Sequence, residues 1–205
     1  MRQKLPIFLL LALAPQWSWA HLVSTRFGEF YAGMLHPVLA LNHLLPWLAL
    51  ALLAGLQPVT SARRNLLIFP LAVAVGTVMG CLFPEAALIS HLNLLAFFSL
   101  GLLVTLALRL HQGLFITVAI LFGVVEGYGN GTLDETLDVF GTGFWLYVAG
   151  VSVAAYLVIA ITSAASHWIS QRQEWGSIAV RALGSWIMAA GILYSGYMIL
   201  PALQS

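Results

Sequence analysis

Charged residues are scarce in this sequence. Only 7% of its 205 residues are Asp, Glu, Lys or Arg, whereas a soluble domain carries about a quarter. Hydrophobic residues make up 61% of the chain, and the mean hydropathy is +0.96. So few charges cannot form a water-facing surface, but an apolar surface suits lipid. The composition therefore predicts an all-α polytopic membrane protein, with the lipid bilayer as its surroundings.

Several motifs are missing as well. Cys81 is the single cysteine, which excludes an internal disulfide framework and a CxxC metal or redox motif. The net charge is only +1 and no basic run is present, so no nucleic-acid partner is expected. The chain lacks a glycine-rich phosphate loop, a nucleophile elbow and an HExxH motif. We therefore expect no enzyme, an intramembrane metallohydrolase included, and no tightly bound cofactor.

The first 20 residues have the pattern of a cleavable export signal. Arg2 and Lys4 precede an apolar stretch at residues 5–15. Ser18 and Ala20 then place small residues at positions −3 and −1 of a cleavage site. Residues 1–20 are predicted to be a signal peptide, and residues 21–205 a single transmembrane domain that begins at His21. The alternative is an anchor helix that is not cleaved.

Six apolar segments follow, and a helix of about 20 apolar residues crosses the hydrocarbon core. The predicted spans lie near residues 34–56, 66–83, 86–108, 113–128, 143–165 and 182–203. The fourth is the shortest, and it runs into Gly127, Gly129 and Gly131. Such closely spaced glycines predict a break into irregular backbone at its end.

The charges orient these six spans. If the mature N-terminus is exported, the cytoplasmic side holds the basic residues Arg63, Arg64, Arg109, Arg172 and Arg181. The outer side then holds most of the acids, namely Glu29, Glu85, Asp134, Glu135 and Asp138. Basic residues in short loops mark the cytoplasmic side. The signal and the charges therefore agree on a membrane protein whose mature N-terminus lies outside the cytoplasm.

The first span carries an unusual set of polar residues. His36 and His43 are seven positions apart, so they share a helix face, and Asn42 adjoins them. Pro37 suits a first helical turn, which predicts that His36 lies at the helix mouth. Pro46 predicts a kink that frees the Asn42 carbonyl. Intramembrane polar groups usually mark a site, here one for a cation. The alternative is that both histidines are neutral packing residues.

Other candidate ligands lie outside the first span. Glu126 is the only carboxylate within the six apolar segments. Buried alone it would favour its protonated form, whereas a divalent cation beside it would keep it charged. The alternative is a solvated carboxylate at the lipid boundary. His21, as a new N-terminus, has an amine and an imidazole that can chelate Ni, Cu or Zn, although its position can also be chance. The tryptophans of the mature chain mostly fit interface anchoring, at Trp47, Trp145, Trp168, Trp175 and Trp186.

These residues resemble the HupE/UreJ family of bacterial membrane proteins. The resemblance covers the signal, the Ala-His junction, the Gly-x-x-His-Pro opening at residues 33–37 and six spans in all. His36, Pro37, Asn42 and His43 resemble the family's HPxxGxDH motif. The resemblance implies uptake of nickel, or in some members cobalt, for hydrogenase, urease or cobalamin synthesis. It also implies that His36 and His43 handle the metal.

The sequence departs from the family's pattern at several positions. Asn42 stands for the motif's Asp and Ala40 for its glycine. The second motif, HGxAHG, reads here as the stretch from Glu126 through Asn130 to Gly131. Relative to the family's motifs, the site has lost two imidazoles. It keeps one carboxylate, which has moved from the first span to Glu126 in the fourth. This change shifts the expected preference toward harder metals or weakens the site.

The sequence therefore supports two functional hypotheses. The first is a plasma-membrane permease for a divalent transition metal, with nickel or cobalt as the substrate that the family resemblance implies. Its metal ligands would be His36, His43, Asn42 and Glu126, with His21 and Asn130 as further candidates. The second is an accessory protein that does not transport, but delivers metal to a metalloenzyme such as hydrogenase or urease, or assists its assembly. The protein could act as a homo-oligomer or with a maturation partner.

Overall fold

A computed structural model describes residues 28–83, 87–131 and 138–204 of the chain. The predicted signal peptide and His21 lie outside these residues. Within the described ranges the chain is helical and contains no β-strand. Its helices are α1 (Glu29–Leu39), α2 (Leu41–Leu56), α3 (Val59–Leu82), α4 (Ala87–Thr105), α5 (Gln112–Gly131), α6 (Thr142–Arg172) and α7 (Gly176–Gln204).

The helices have the lengths that a polytopic membrane protein requires. By length and hydropathy, α3, α5, α6 and the Gly176–Gly196 part of α7 can each cross a bilayer. α1 and α2 together make a fifth candidate span, bent by 75°. α4 has 19 residues, and its apolar segment His91–Thr105 is shorter than the other candidate spans. All six predicted segments are therefore helical, and the prediction of an all-α polytopic membrane protein is confirmed.

The first span is broken rather than continuous. Ala40 has an extended backbone (φ −90°, ψ 103°) between α1 and α2. Pro37 and Pro46 lie on either side of it, and neither can donate the hydrogen bond that a helix needs. The predicted kink at Pro46 was therefore wrong in place, because the sharp bend lies six residues earlier. His36 is also not at a helix mouth, since it lies in the last turn of α1.

Glycines hold α3 and α5 in close contact. A Cβ atom at Gly76 would overlap the Val124 carbonyl, and one at Gly127 would overlap the Val73 carbonyl. Gly80, Gly123 and Gly131 face the opposite helix in the same way. Small residues allow two membrane helices to approach to backbone contact. The predicted break at the glycine run was therefore wrong: α5 stays helical to Gly131, because its glycines serve packing.

Glycine contacts also join other helices. A Cβ at Gly33 of α1 would overlap the Tyr147 carbonyl of α6, and one at Gly150 would overlap the Phe30 carbonyl. In the α4–α7 pair, Gly184 lies against Val104. The long helix α6 contacts α1, α2 and α3, so the broken first span packs against α6.

Charge is distributed unequally between the two ends of the bundle. One end holds the α2–α3 and α4–α5 connections, together with the described arginines at positions 63, 64, 109, 172 and 181. The buried Gln57 ties these two connections together. Its Nε2 donates to the Leu108 carbonyl (2.9 Å), and its Oε1 accepts from the Leu110 N–H (2.9 Å). The opposite end holds His43, Glu126 and Asp138, so basic residues and the candidate ligands lie at different ends.

We expect Gln57→Leu to lower the free energy of unfolding by about 2 kcal/mol, because it leaves buried backbone groups of the α4–α5 connection unpaired. Thermal unfolding of the purified protein in detergent measures the change. Gln173→Leu is the matched control, since Gln173 is exposed. Equal melting temperatures for the two variants would contradict the role given to Gln57.

Candidate functional site

His43 and Glu126 form a buried pair between two helices that are distant in sequence. Nδ1 of His43 lies 3.0 Å from Oε2 of Glu126. His43 is 4% exposed and Glu126 only 1%. A hydrogen bond at this distance requires one proton between the two atoms. Either a neutral or charged imidazole donates it to a carboxylate, or a carboxylic acid donates it to the ring. The alternative of a solvated Glu126 at the lipid boundary therefore does not hold.

The local fold explains why these two side chains meet. His43 lies in the first turn of α2, directly after the bend at Ala40, and its N–H donates to the Ala40 carbonyl (2.9 Å). Glu126 precedes Gly127, which fixes α5 against α3. Gly129 leaves space for the imidazole, since a Cβ there would lie 3.0 Å from Cε1 of His43. The bend and the glycines together bring α2 and α5 into side-chain contact.

His36 adds a second imidazole next to this pair. Its ring centroid is 5.8 Å from that of His43, with an angle of 55° between the ring planes. The Nε2 atom of His36 is buried and has no hydrogen-bond partner in the described chain. His36 and His43 are therefore neighbours, as their spacing predicted, but they lie on two helices, α1 and α2, which are separated by the bend at Ala40. The end of α1 also leaves its last carbonyls without intrahelical donors, which makes this end attractive to a cation.

The Glu126 carboxyl group has a second oxygen that is open to a ligand. Its Oε1 is buried and accepts no hydrogen bond from the described residues. The indole of Trp47 lies close to the carboxyl group, but its Nε1–H also lacks a partner with good geometry. Trp47 is fully buried, so interface anchoring was the wrong interpretation for this residue. The exposed Trp145, Trp168, Trp175 and Trp186 remain compatible with it.

The end of α5 beyond Glu126 is fixed by side chains from neighbouring helices. The Tyr147 hydroxyl donates to the Asn130 carbonyl at 2.8 Å, and Cys81 Sγ contacts the Gly131 carbonyl at 3.3 Å. Asn130 itself is fully buried, and its Nδ2 donates to the Glu126 carbonyl at 2.8 Å. Its Oδ1 has no partner within the described ranges. These bonds hold Glu126 in place although the helix ends nearby.

The remaining candidates lie at different distances from the pair. Asn42 is half-buried, and no hydrogen bond joins its side chain to His43 or Glu126 among the described residues. Asn93 of α4 was missed by sequence reasoning. Its Nδ2 lies close to the position that a Cβ at Gly129 would take, as His43 does, and its Oδ1 is buried without a described partner. One amide in an apolar helix was the only signal for it.

The arrangement offers nitrogen and oxygen donors, but it is closed. No group of three or more His, Cys, Asp or Glu side chains in the described part of the chain is placed to hold a metal ion. The 5.8 Å separation of the His36 and His43 ring centroids is compatible with both rings binding one ion at metal–nitrogen distances of about 2.0–2.1 Å, provided that a nitrogen of each ring faces the ion. The His43–Glu126 bond occupies His43 Nδ1 and Glu126 Oε2, so a cation could use these two atoms only after the bond opens.

Comparison with known proteins adds a family assignment. No curated protein and no solved structure matches the chain. The sequence model of the family described as "HupE / UreJ protein" matches residues 9–194. This match covers most of the chain, the broken first span and the His43–Glu126 pair included. The chain therefore belongs to the HupE/UreJ family of membrane proteins.

Proposed function

We propose that this protein is a permease for a divalent transition-metal ion, with nickel or cobalt as its substrate. The family is associated with nickel and cobalt uptake or with accessory roles. The observation that carries the proposal is the His43–Glu126 pair, buried at the junction of a broken span and a second helix. Ionisable groups at such positions are costly in a membrane and usually belong to a substrate pathway.

The chemistry of the surrounding donors supports a metal cation as the substrate. Imidazole nitrogen and carboxylate oxygen suit nickel, cobalt and zinc. His36 Nε2, Glu126 Oε1 and Asn130 Oδ1 are all buried and lack hydrogen-bond partners among the described residues. A buried polar atom without a partner costs about 1–3 kcal/mol, and an arriving cation would remove that cost.

The His43–Glu126 hydrogen bond suggests why the site would bind its cation weakly enough to release it. A cation entering between His36 and His43 would replace the His43–Glu126 hydrogen bond, with Glu126 as its anionic ligand. Binding then costs the bond that it breaks, which keeps affinity low enough for release, as a transport pathway requires. Asn42 and His21 would act earlier, at the entrance to the site.

We place the protein in the bacterial plasma membrane with the candidate ligands near the outer face. The described arginines cluster at the opposite end of the bundle, and basic loops are typical of the cytoplasmic side. Residues 1–20 would direct export and be removed, leaving residues 21–205 as the transmembrane domain with an N-terminal His21. Fusion of reporter enzymes to the α2–α3 connection and to the C-terminus tests this orientation.

Cellular metal content tests the proposed transport. The chain is produced in a strain that lacks its own nickel and cobalt importers, and total nickel and cobalt are measured by mass spectrometry. We expect either metal to rise at least about tenfold above a strain with the empty vector. A metal content equal to that of the empty vector, from protein confirmed in the membrane, would contradict the permease proposal.

The family's association with accessory roles supports a second candidate function, that of an accessory protein. It would deliver metal, or assist assembly of hydrogenase or urease, without moving ions across the membrane. Such a protein would raise the activity of the partner enzyme even in nickel-rich medium, with cellular nickel unchanged. A permease would raise both values in nickel-poor medium, and its effect would disappear when nickel is plentiful.

A further inference from the structure

Two aromatic rings close the interior of the bundle next to the His43–Glu126 pair. The rings of Trp47 (α2) and Phe69 (α3) are 5.8 Å apart between centroids and meet edge to face at 87°. Trp47 is 0% exposed and Phe69 only 1%. Gly123 of α5 packs on the same place, because its Cβ would lie 3.3 Å from Cδ2 of Phe69. The three helices are therefore joined at this level by packed apolar groups.

The order of residues along the bundle axis follows from helix geometry. Trp47 lies four residues after His43 on α2, and Asn65 lies four residues before Phe69 on α3. Each step is one turn, or about 6 Å. Because Gln57 and Pro58 connect α2 directly to α3, the two helices run in opposite directions. His43 therefore lies on one side of the aromatic pair and Asn65 on the other.

Asn65 is an unusual side chain for a fully buried position. It is 0% exposed, and neither its Oδ1 nor its Nδ2 has a hydrogen-bond partner in the described structure. Buried amides are nearly always hydrogen-bonded, and leaving one unsatisfied costs about 1–3 kcal/mol. Ser61, one turn further along α3, is also buried. A polar stripe thus runs from the aromatic pair toward the basic end of the bundle.

We propose that Trp47 and Phe69 form the barrier of the transport path, and that Asn65 is a second binding position for the divalent cation on the inner side of that barrier. This inference rests on the proposed permease function. A cation that leaves His43 and Glu126 passes when the two rings separate, and the amide oxygen of Asn65 then receives it with its remaining water. Ser61 continues the path toward the α2–α3 connection.

Uptake measurements on Asn65 variants test the second binding position. We expect Asn65→Leu, which has a similar volume but no polar atom, to reduce nickel or cobalt uptake at least about tenfold. Asn65→Asp, which keeps an oxygen ligand, should retain uptake within about threefold. Asn65 supplies a single amide oxygen, so the saturable Co²⁺ site of the purified protein is the one at His43 and Glu126, and purified Asn65→Leu protein should keep that site. Intact uptake by Asn65→Leu would overturn the inference, as would an equal loss of uptake and Co²⁺ binding.

Cysteine labelling tests the barrier without any assumption about the metal. With Cys81 replaced by Ser, single cysteines are placed by His91→Cys, at an exposed position near the outer end of α4, and by Ser61→Cys on the inner side. A charged thiol reagent added outside intact cells should label position 91 but not position 61. Adding Trp47→Ala should raise labelling at position 61 at least about tenfold.

The outcomes separate the barrier from the proposed function. Labelling of position 61 with Trp47 intact, or no labelling after Trp47→Ala in protein confirmed in the membrane, would overturn the barrier. Absence of metal uptake by the intact protein would instead reject the permease function. The labelling experiment would still test whether Trp47 blocks access to position 61.

Discussion

Replacing Glu126 with Gln should reduce nickel or cobalt uptake by at least about tenfold, with little loss of folded protein. The amide of Gln has the shape of the carboxyl group and can hydrogen-bond to His43, but it cannot supply the negative charge that the cation needs. Loss of one ligand worth 1.4 kcal/mol already gives a tenfold change in affinity. Cellular metal content measured by mass spectrometry, divided by the amount of protein in the membrane, gives the result.

His43→Ala should reduce uptake at least as far and should also destabilise the protein. It removes the imidazole and leaves the Glu126 carboxyl group buried without its 3.0 Å partner, and breaking a buried pair from one side costs about 3–5 kcal/mol. His111→Asn is the control at the opposite end of α5. His111 accepts a hydrogen bond from the Gly113 N–H at 3.2 Å, and Asn can replace it there. If Glu126→Gln and His111→Asn proteins take up metal equally well, the site assignment fails.

Gly127→Ala should destabilise the fold by about 3 kcal/mol, because its single added methyl group overlaps the Val73 carbonyl of α3. The two helices would have to move apart along the whole glycine contact. For a chain of this size we expect the melting temperature to fall by about 10 °C, as measured by fluorescence-detected unfolding in detergent.

The chain provides a control with the same substitution. A Cβ at Gly196 of α7 would have no atom within 4 Å, so Gly196→Ala should leave the melting temperature unchanged or raise it slightly. If Gly127→Ala and Gly196→Ala proteins melt at the same temperature, α3 and α5 do not depend on close packing at Gly127.

Much of the fold could be predicted from the hydropathy along the sequence. Length and hydropathy located all six apolar segments, because a bilayer demands about 20 apolar residues whatever the neighbours are. The ends of the spans were less predictable. α3 begins at Val59, although its apolar part was expected from residue 66, since a helix continues into the polar interface as long as its backbone bonds can form.

The errors came from residues whose effect depends on a partner helix. The glycine run ending at Gly131 can break a helix or allow close packing, and only the presence of α3 decides between the two. Ala40 gives no sequence signal for a bend, whereas Pro46 does; the bend nevertheless falls between the two prolines. Tryptophan is typical of the membrane–water interface, but Trp47 lies one turn from His43 and is buried inside the bundle.

The candidate site was predictable in its parts but not in its contacts. His36, His43 and Glu126 stood out because polar groups are costly in lipid. Their meeting depends on the α2–α5 contact across 83 positions of sequence, and no periodicity encodes that contact. Asn93 and Asn65 are single amides in apolar helices, so they become noticeable only when burial leaves their polar atoms without partners.

Cobalt binding to the purified protein tests the central claim most directly. The full chain, purified with a tag that contains no histidine and placed in lipid nanodiscs, is titrated with Co²⁺ and followed by visible absorption. We predict one saturable cobalt ion per chain, with nitrogen ligands seen by X-ray absorption, and loss of the signal in both Glu126→Gln and His43→Ala proteins. No saturable signal from the intact chain, or an unchanged signal from the two variants, would contradict a substrate site formed by His43 and Glu126.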